Sequence, residues 1–273
     1  MKVQHLQDTP FDELLDCFLK AFENYYVKMP TDTQYYRKRW KAAMVDFSAS
    51  YGMFDEGKLI GFIIHAIDTR NGMFTAFNVG TGVLPAYRGK RVINTIYQTA
   101  LVNLKERGIE RIALEVITEN KVAISAYKAI GLKICKEYKC FLGLIKVEEK
   151  GEFELKKVDA STIQWDTLPN QEYYSWENQK ESLLSGNYSY FQVLHNNKVE
   201  SFFIMIPESG YVAQFDIMIS NNDSWNRLFS AIEQISINIK INNVDIRLTE
   251  KIKQLQRIGL ENKIDQFEME LKI

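Results

Sequence analysis

One stretch of the chain runs from an apolar strand through a basic, glycine-containing turn into a helix. It occupies residues 83–91 and reads VLPAYRGKR. The start of a helix leaves backbone N–H groups without partners and carries a positive partial charge, so it binds phosphate readily. Basic side chains in the same turn add attraction for a polyanion. Because Arg-Gly turns also begin many ordinary helices, this stretch alone leaves a structural turn and a phosphate site equally open.

Composition and charge limit the class of protein. The chain has 273 residues, 46% hydrophobic and 25% charged, which is typical of a soluble globular protein with one large or two medium domains. A net charge of −1 gives no bulk attraction for nucleic acid or an anionic membrane. The N-terminus carries no signal-peptide core, and no apolar run reaches the length of a membrane span. We therefore expect a cytoplasmic protein with neither nucleic acid nor a membrane as partner.

The cysteines give little reason to expect a metal. Cys17, Cys135 and Cys140 are an odd set without CxxC spacing. Cys135 and Cys140 are close enough in sequence to share a metal ion, but no histidine lies near them. Reduced structural thiols are the favoured interpretation, and no metal is expected.

The pattern of apolar residues predicts a mixed α/β sheet in the first half of the chain. The predicted helices cover residues 11–26, 31–47, 91–107 and 120–130, and the predicted strands cover 51–54, 59–67, 73–84, 112–117 and 136–147. Gly108 and Gly131 would end two of the helices, since glycine is favoured just after a helix. Antiparallel strands come first and strand–helix–strand follows, an order that indicates a mixed sheet flanked by helices.

Two separated motifs follow one another in this half. The first is Val-x-Pro-x-x-Arg-Gly-x from residue 83, which leads into a helix. The second is a Leu-Glu-Val strand at 114–116, followed by Asn-x-x-Ala-Ile-x-x-Tyr-x-x-x-Gly at 120–131. Together they resemble the GCN5-related N-acetyltransferases, the GNAT superfamily, over roughly residues 1–147 and most strongly over 83–132. The resemblance implies the GNAT fold, acetyl-CoA as co-substrate and acetyl transfer to an amine.

By this resemblance, the cofactor would contact the basic turn and the start of the helix. The residues concerned are Val83, Leu84, Arg88, Gly89, Lys90, Arg91, Val92, Ile93, Asn94 and Asn120. The loop of the family usually has small residues where this chain has Arg91 and Ile93. If residues 91–93 form the first helical turn, φ is negative there, glycine is not required and the phosphate site survives. Loss of the cofactor site is the alternative.

The resemblance also assigns the two catalytic roles. Acetyl transfer needs a neutral amine, a stabilised oxyanion and a protonated leaving thiolate. Glu115 lies mid-strand and would take the amine proton or anchor the ammonium; a charged residue on a solvated strand face is the other interpretation. Tyr127 would protonate the thiolate, since a phenol with a pKa of about 10 suits a thiol with a pKa of about 8.5. Packing against the sheet is the alternative for Tyr127.

Other residues are weaker candidates. Asn120 would cap its helix and, by the resemblance, contact the cofactor arm, and the oxyanion donor would be a backbone N–H near Val83. The candidates for binding the acceptor are Tyr25, Tyr26, Asn78 and Thr81. Surface packing is the alternative for the two tyrosines. His65, inside an apolar strand, is predicted to be a core histidine rather than a base.

The second half of the chain repeats the first in diverged form. Residues 198–204 (KVESFFI) echo 58–64 (KLIGFII), and the motifs Thr-Glu and Ile-Gly-Leu recur downstream. Between them we expect a strand at 212–219, a helix at 224–239 and a strand at 244–248. We therefore predict tandem GNAT-like domains, a catalytic one over residues 1–147 and a degenerate one over 151–273. The boundary falls near the charged stretch 148–151.

The second half lacks the residues for the chemistry. Its turn before the helix, residues 220–224 (SNNDS), has neither Arg nor Gly, and Asp223 would repel phosphate. Alignment places Arg247 opposite Glu115 and Leu255 opposite Tyr127. This half is expected to bind no CoA; it would complete the acceptor pocket, cover a sheet edge or mimic a dimer partner.

The sequence supports two classes of function. The first is an acetyl-CoA-dependent N-acetyltransferase that modifies a primary amine of a small molecule or peptide, as a monomer or homodimer. The second is a non-catalytic acyl-CoA sensor or interaction module. The presence of Glu115 and Tyr127 favours the enzyme, because a sensor needs neither.

Overall fold

The computed structural model describes residues 1–148, 150–221 and 223–273. Glu149, in the predicted boundary, and Asn222, in the predicted turn of the second half, lie outside the described residues. The chain divides into two compact units, Met1–Cys135 with Glu268–Ile273, and Lys136–Phe267. The division thus falls before the charged stretch 148–151, and the C-terminal residues return to the first unit. A charged stretch indicates a solvent-exposed segment, whereas the division into compact units depends on which strands pack together.

The described residues form twelve strands and seven helices. The strands are β1 (Lys2–His5), β2 (Tyr51–Asp55), β3 (Lys58–Arg70), β4 (Met73–Val83), β5 (Arg111–Ile117), β6 (Lys133–Leu144), β7 (Glu154–Val158), β8 (Ser189–His195), β9 (Lys198–Ile206), β10 (Tyr211–Ile217), β11 (Asn238–Asp245) and β12 (Glu261–Lys272). The helices are α1 (Phe11–Ala21), α2 (Thr33–Ala42), α3 (Val92–Glu106), α4 (Lys121–Ile130), α5 (Lys180–Ser185), α6 (Ser224–Ile235) and α7 (Thr249–Arg257). The mixed α/β fold class is confirmed.

Helix α1 packs on the sheet of the first unit through one apolar face. Leu14, Leu15 and Phe18 are buried on that face, as their helical spacing predicts. The helix ends at Ala21, five residues before the predicted end at residue 26. The loop that follows therefore carries the two tyrosines proposed to bind the acceptor.

Helix α2 begins where the sequence predicts. Asp32 caps it, because its carboxylate accepts a hydrogen bond of 2.9 Å from the Gln34 N–H. It ends at Ala42 rather than at residue 47, since Met44 adopts a left-handed backbone (φ 62°) that cannot continue a right-handed helix.

The sheet of the first unit has the order β1-β2-β3-β4-β5, with the C-terminal part of β12 beside β5. The β2–β3 hairpin turns at Glu56 and Gly57, both with positive φ, as a tight two-residue hairpin turn requires. Strand β1 was not predicted, because its four residues are too few and too polar to show an alternating pattern. Strand β4 bulges at Val79, since Gly80 pairs with Ile64 and Asn78 with His65.

The second unit repeats this order of elements. Its sheet runs β6-β11-β10-β9-β8-β7, with the N-terminal part of β12 beside β6. Its core is formed by apolar side chains of the strands, α6 and α7, among them Phe203, Phe215, Phe229 and Leu255. The predicted helix at 224–239 ends at Ile235, and residues 238–245 form β11 instead. The isoleucines at 239 and 241 alternate with polar residues, which is the period of a strand and not of a helix.

No helix among the described residues is both long and apolar enough to cross a membrane.

Candidate functional site

In the first unit, the parallel strands β4 and β5 pair at one end and part at the other. Their pairs run from Thr75 with Arg111 to Asn78 with Leu114. Beyond that point β4 continues to Val83 and β5 to Ile117, with no further pair between them among the described residues. Paired parallel strands lie about 4.8 Å apart, so the end of this pairing opens a cleft between them. The bulge at Val79 falls where the cleft begins.

Helix α3 begins at the mouth of this cleft. Gly89 (φ 76°) and Arg91 (φ 57°) both have left-handed backbones, and Val92 is the first helical residue. The expectation of a negative φ at residue 91 is therefore wrong: Arg91 precedes the helix and holds a conformation that glycine adopts more easily. No side chain caps the helix at Arg91, so the first N–H groups of α3 remain available to an anion.

The basic side chains of the turn have different roles: one makes a structural contact and two remain near the surface. Arg88 donates to the carbonyl oxygens of Ala21 (2.9 Å) and Val83 (3.3 Å). It thereby satisfies an acceptor at the end of α1 and is engaged in a structural contact, which the sequence did not predict. Lys90 lies over the ring of Tyr87, 4.8 Å from its centroid, and Arg91 is exposed. Of the predicted basic contacts, Lys90 and Arg91 have the greater freedom to meet a phosphate.

The end of β4 orients a backbone donor. The N–H of Leu84 donates to Ile60 of β3 at 2.9 Å. Successive N–H groups of a strand point to opposite sides, so the N–H of Val83 points away from β3, towards the side of the cleft. This orientation suits the predicted oxyanion donor near Val83.

Helix α4 carries Tyr127 into the site. Asn120 caps the helix, its side-chain oxygen accepting from the Ala123 N–H at 3.2 Å, and Gly131 (φ 110°) ends it as predicted. Tyr127 is only 8% exposed, and Thr81 of β4 lies beside it. Burial raises the pKa of Tyr127 to about 12, against the opposing effect of Thr81. The phenol therefore keeps its proton at neutral pH, as a general acid must.

A second tyrosine, Tyr97 of α3, completes a buried polar cluster. Asn78, which is 6% exposed, places its side-chain nitrogen 2.6 Å from the Thr81 hydroxyl and 2.8 Å from the Tyr97 hydroxyl. The rings of Tyr97 and Tyr127 meet edge to face at 6.5 Å. Tyr97 was not predicted as a site residue, and it is buried on α3 next to Ile96.

The loop after α1 covers the start of α4. Tyr25, half-buried, lies beside the Asn120 side chain, and burial raises the pKa of Tyr25 above its usual value. Tyr26 is exposed and donates to the carbonyl oxygen of Glu119 at 3.2 Å. The structure thus brings both loop tyrosines to the helix that carries Tyr127.

Glu115 is the first residue of β5 beyond the paired segment. It is half-buried between the buried Leu114 and Val116, and its Oε1 atom is shielded from solvent. A carboxylate in this position lies at the edge of the cleft.

His65 belongs to the core and not to the site. Its Nδ1 lies 2.7 Å from the Ala49 carbonyl oxygen, and burial lowers the pKa of His65 to about 4. Among the residues that the structure describes, no three His, Cys, Asp or Glu side chains come close enough to hold a metal ion.

Comparisons with known proteins bear on the family and the fold. The model of the "Acetyltransferase (GNAT) family" matches residues 11–132. The first unit belongs to the GNAT superfamily. An uncharacterised N-acetyltransferase of Bacillus subtilis (strain 168), YdgE, is 31% identical over 77 residues, which are 28% of this chain and 49% of the relative. The match thus spans about half the length of that relative.

Solved structures extend the likeness of the fold to the whole chain. A tandem GNAT protein from the clavulanic acid biosynthesis pathway aligns over 99% of this chain and 98% of its own, with a TM-score of 0.65 and 11% identity. A GCN5-related N-acetyltransferase of Sphaerobacter thermophilus aligns over 99% and 95%, with a TM-score of 0.68 and 9% identity. The tandem GNAT-like fold is therefore confirmed.

In the second GNAT-like unit, the chain itself occupies the region between the corresponding strands. Strands β10 and β11 pair in parallel at Tyr211 and Lys240, near their N-terminal ends. Farther along, the carbonyl oxygen of Asn178 accepts from Gln214 of β10 (2.6 Å), and the Asn178 amide donates to Asn242 of β11 (3.2 Å). The buried segment 174–178 therefore bonds to both strands.

A carboxylate of the same unit lies at the start of its long helix. Glu200 of β9 accepts two hydrogen bonds of 2.8 Å from Arg227, in the first turn of α6, and one from Asn221. Both Glu200 and Arg227 are buried. In the first unit the echoing residue is Ile60.

The alignment of the second unit with the first needs one correction. Leu255 takes the place of Tyr127 and is fully buried in the core. Arg247, however, lies beyond the end of β11, where it pairs with Asp245. Asn243 stands as far before α7 as Glu115 stands before α4, so Asn243 is the counterpart of Glu115. A bulge in β11 after Ile241 hides this register in the sequence.

Proposed function

We propose that the first unit is an acetyl-CoA-dependent N-acetyltransferase that acetylates a primary amine of a small molecule or peptide. The observation that carries the proposal is the position of Tyr127. A buried, protonated phenol lies beside Thr81 of β4, where β4 and β5 have parted and Glu115 lies on the opposite strand. An acid and a carboxylate on the two sides of one cleft suit proton transfer to and from a reacting group.

The residues present fit the cofactor. The uncapped N–H groups at the start of α3, with Lys90 and Arg91 beside them, would hold its phosphates. The parted ends of β4 and β5 would hold the extended arm of the cofactor. Asn120, which lies beside Tyr25, would line the same region. Acetyl-CoA supplies an acetyl group activated as a thioester.

Three groups of the chain would then act on the reaction. The Glu115 carboxylate takes a proton from the amine, either directly or through water. The Val83 N–H donates to the oxygen on which negative charge develops. The Tyr127 hydroxyl gives its proton to the departing sulfur.

The loop tyrosines would contribute to the acceptor side. Tyr25 and Tyr26 lie beside the start of α4, and Tyr26 is exposed to an incoming molecule. Aromatic side chains with a hydroxyl offer both an apolar face and a polar tip to an amine-bearing ligand.

One observation favours the second candidate, an acyl-CoA sensor. Arg91 stands in a left-handed conformation where the family has a small residue, and Arg88 is engaged with α1. A site altered in this way could keep binding and lose turnover.

Thiol release separates the two candidates. The full chain is mixed with acetyl-CoA and, in turn, with small amines, amino sugars and peptides bearing a free amine, and free CoA is followed with a thiol reagent. We expect saturable release that needs the amine, and an acetylated product by mass spectrometry. Tight acetyl-CoA binding by calorimetry without release would favour the sensor, and no binding would mean that the cofactor site is lost.

A further inference from the structure

Segment 268–273, the last part of β12, is held in the first unit by contacts at the start of β5. The Ile273 N–H donates to the carbonyl oxygen of Glu110, immediately before β5, at 2.9 Å. The Glu270 carboxylate forms an ion pair of 3.6 Å with Arg111, the first residue of β5. The segment is thus fixed to the strand that carries the candidate base.

The same segment supports the end of α4. Leu271 packs against Gly131, where a Cβ atom would lie 3.5 Å from Leu271 Cδ1. The Cys135 thiol, which follows α4 in the chain, lies 3.5 Å from the Glu268 carbonyl oxygen. Because α4 carries Tyr127, the segment contacts both elements that provide the candidate acid and base.

The Ile273 bond determines how the segment runs along β5. Ile273 meets the residue just before β5, and β12 lies beside β5, so the residues that precede Ile273 lie along β5 only if the two strands are antiparallel. Counting back residue by residue from this bond places Glu268 opposite Glu115. Arg111 and Glu270 then lie diagonally on one face, within reach of the ion pair that they form.

The second unit shows the same register by direct contacts. There Asn243 is the counterpart of Glu115, and Cys140 is the counterpart of Glu268, since Cys140 and Glu268 stand equally far beyond the Ile-Gly-Leu motif of their repeats. The Asn243 N–H donates to the Cys140 sulfur at 3.4 Å, and the Asn243 side-chain oxygen lies 3.4 Å from the same sulfur. The two counterparts are thus neighbours on the adjacent strands β11 and β6.

Glu115 depends on this neighbour because β4 parts from β5 before it. The pairs between β4 and β5 end at Asn78 with Leu114 among the residues that the structure describes. From Glu115 onward, β5 borders the cleft on one edge and β12 on the other. A strand without a neighbour leaves its N–H and C=O groups unpaired. The segment therefore holds the part of β5 that carries the base.

We propose that segment 268–273 is a positioning element of the acetyltransferase site, supplied by the second repeat. It fixes Glu115 through β5 and Tyr127 through the end of α4, so the first repeat has no complete site by itself. The strand that follows α4 in the chain, β6, belongs to the second unit from Lys136 onward, and the two repeats have therefore exchanged their last strands. This inference rests on the proposed function. Of the three roles expected for the second half, it favours the covering of a sheet edge.

Leu271→Ala tests the segment in the full chain, with Lys272→Ala at the exposed next residue as the matched control. We expect Leu271→Ala to lower kcat about tenfold, because a small displacement of the reacting groups has a large effect on rate, and to leave the KM for acetyl-CoA within about twofold. Lys272→Ala and the volume-conserving Leu271→Met should both stay within about twofold of the wild type. An unchanged kcat in Leu271→Ala would overturn the proposal.

Amide hydrogen exchange, followed by NMR, tests the contact without turnover. Successive N–H groups of a strand point to opposite edges, and the register directs those of Ile112 and Leu114 to the segment and that of Ala113 to β4. We expect Leu271→Ala to speed exchange at Ile112 and Leu114 at least about tenfold and to leave Ala113 unchanged, whereas Lys272→Ala should change none of the three. Equal acceleration at all three amides would mean a general loss of stability, and no acceleration would mean that the segment does not hold β5. Either result overturns the proposal.

The two measurements distinguish failure of this proposal from failure of the proposed function. If the wild-type chain releases no thiol with any amine, the proposed function fails. The exchange pattern then still decides whether segment 268–273 holds β5.

Discussion

In the first unit, β4 and β5 part after the pair of Asn78 and Leu114, and the start of α3 has no capping side chain. In the second unit, Asn178 of segment 174–178 forms hydrogen bonds to both β10 and β11, and the Glu200 carboxylate lies at the start of α6. The second unit thus has a segment of the chain bonded to both parallel strands and a buried ion pair at the start of its long helix. The same order of elements therefore leaves the parted strands open in the first unit and bridges them in the second.

The largest expected effect is the loss of stability on replacing the buried Glu200 carboxylate. Glu200→Gln leaves Arg227 buried without its carboxylate partner, so we expect a loss of about 3–5 kcal/mol in unfolding free energy, measured by urea denaturation. Glu154→Gln, in an exposed pair with Lys156, is the matched control and should cost less than about 1 kcal/mol. A loss for Glu200→Gln no larger than that of the control would show that Glu200 does not stabilise this helix start.

The Glu200 pair also predicts a pH dependence. Burial by itself would raise the pKa of Glu200, but hydrogen bonds from Arg227 and Asn221 lower it below its usual value of 4.5. A lowered pKa in the folded state means stability that is present above pH 4.5 and lost as the pH falls through the lowered value. The advantage of the wild type over Glu200→Gln should therefore shrink below pH 4.5.

The next largest effect is on kcat, and it should differ between two buried tyrosines, Tyr127 of the first unit and Tyr174 of the second. Tyr127→Phe should lower kcat by about 10²-fold or more, within the range of general acids, with unchanged acetyl-CoA affinity. Tyr174→Phe removes the hydroxyl that contacts Lys251 in the second unit and should leave kcat unchanged. A fall in acetyl-CoA binding for Tyr127→Phe without an effect on turnover would contradict the acid role.

Glu115→Gln tests the base. At neutral pH we expect a loss of about 10²-fold in kcat, which recovers on the alkaline side because the bulk solution then supplies the neutral amine. The measurement is a pH–rate profile of both forms, and unchanged activity at neutral pH would exclude Glu115. Glu119→Gln, an exposed carboxylate at the end of the same strand-to-helix turn, is the control.

The smallest expected effect concerns the turn before α3. Arg91→Gly should raise the unfolding free energy by about 1 kcal/mol, because glycine adopts a φ of 57° without the steric cost that arginine bears. Lys90→Gly, at an exposed neighbour without a positive φ, should not stabilise the chain. If Arg91→Gly destabilises it, the arginine side chain holds the turn through contacts of its own.

Much of the fold could be predicted from the sequence, because short-range patterns carry that information. Asn120, Gly108 and Gly131 mark helix ends through local hydrogen bonds and φ values, and the two motifs in order identified the GNAT fold. The placement of Tyr127 on a helix beside the cleft followed from the second motif. Helix ends that depend on tertiary packing, such as Ala21 and Ile235, were misplaced.

Which residues each side chain contacts depended on the tertiary structure. Arg88 was predicted to contact the cofactor but donates to the end of α1, and Tyr97, which the sequence did not single out, accepts a hydrogen bond from Asn78. Segment 174–178 has no sequence feature that would place it between two strands. Each of these contacts joins residues distant in the chain, and a hydrogen bond between them depends on positions that the whole fold sets to within about an ångström. Local patterns cannot contain that information.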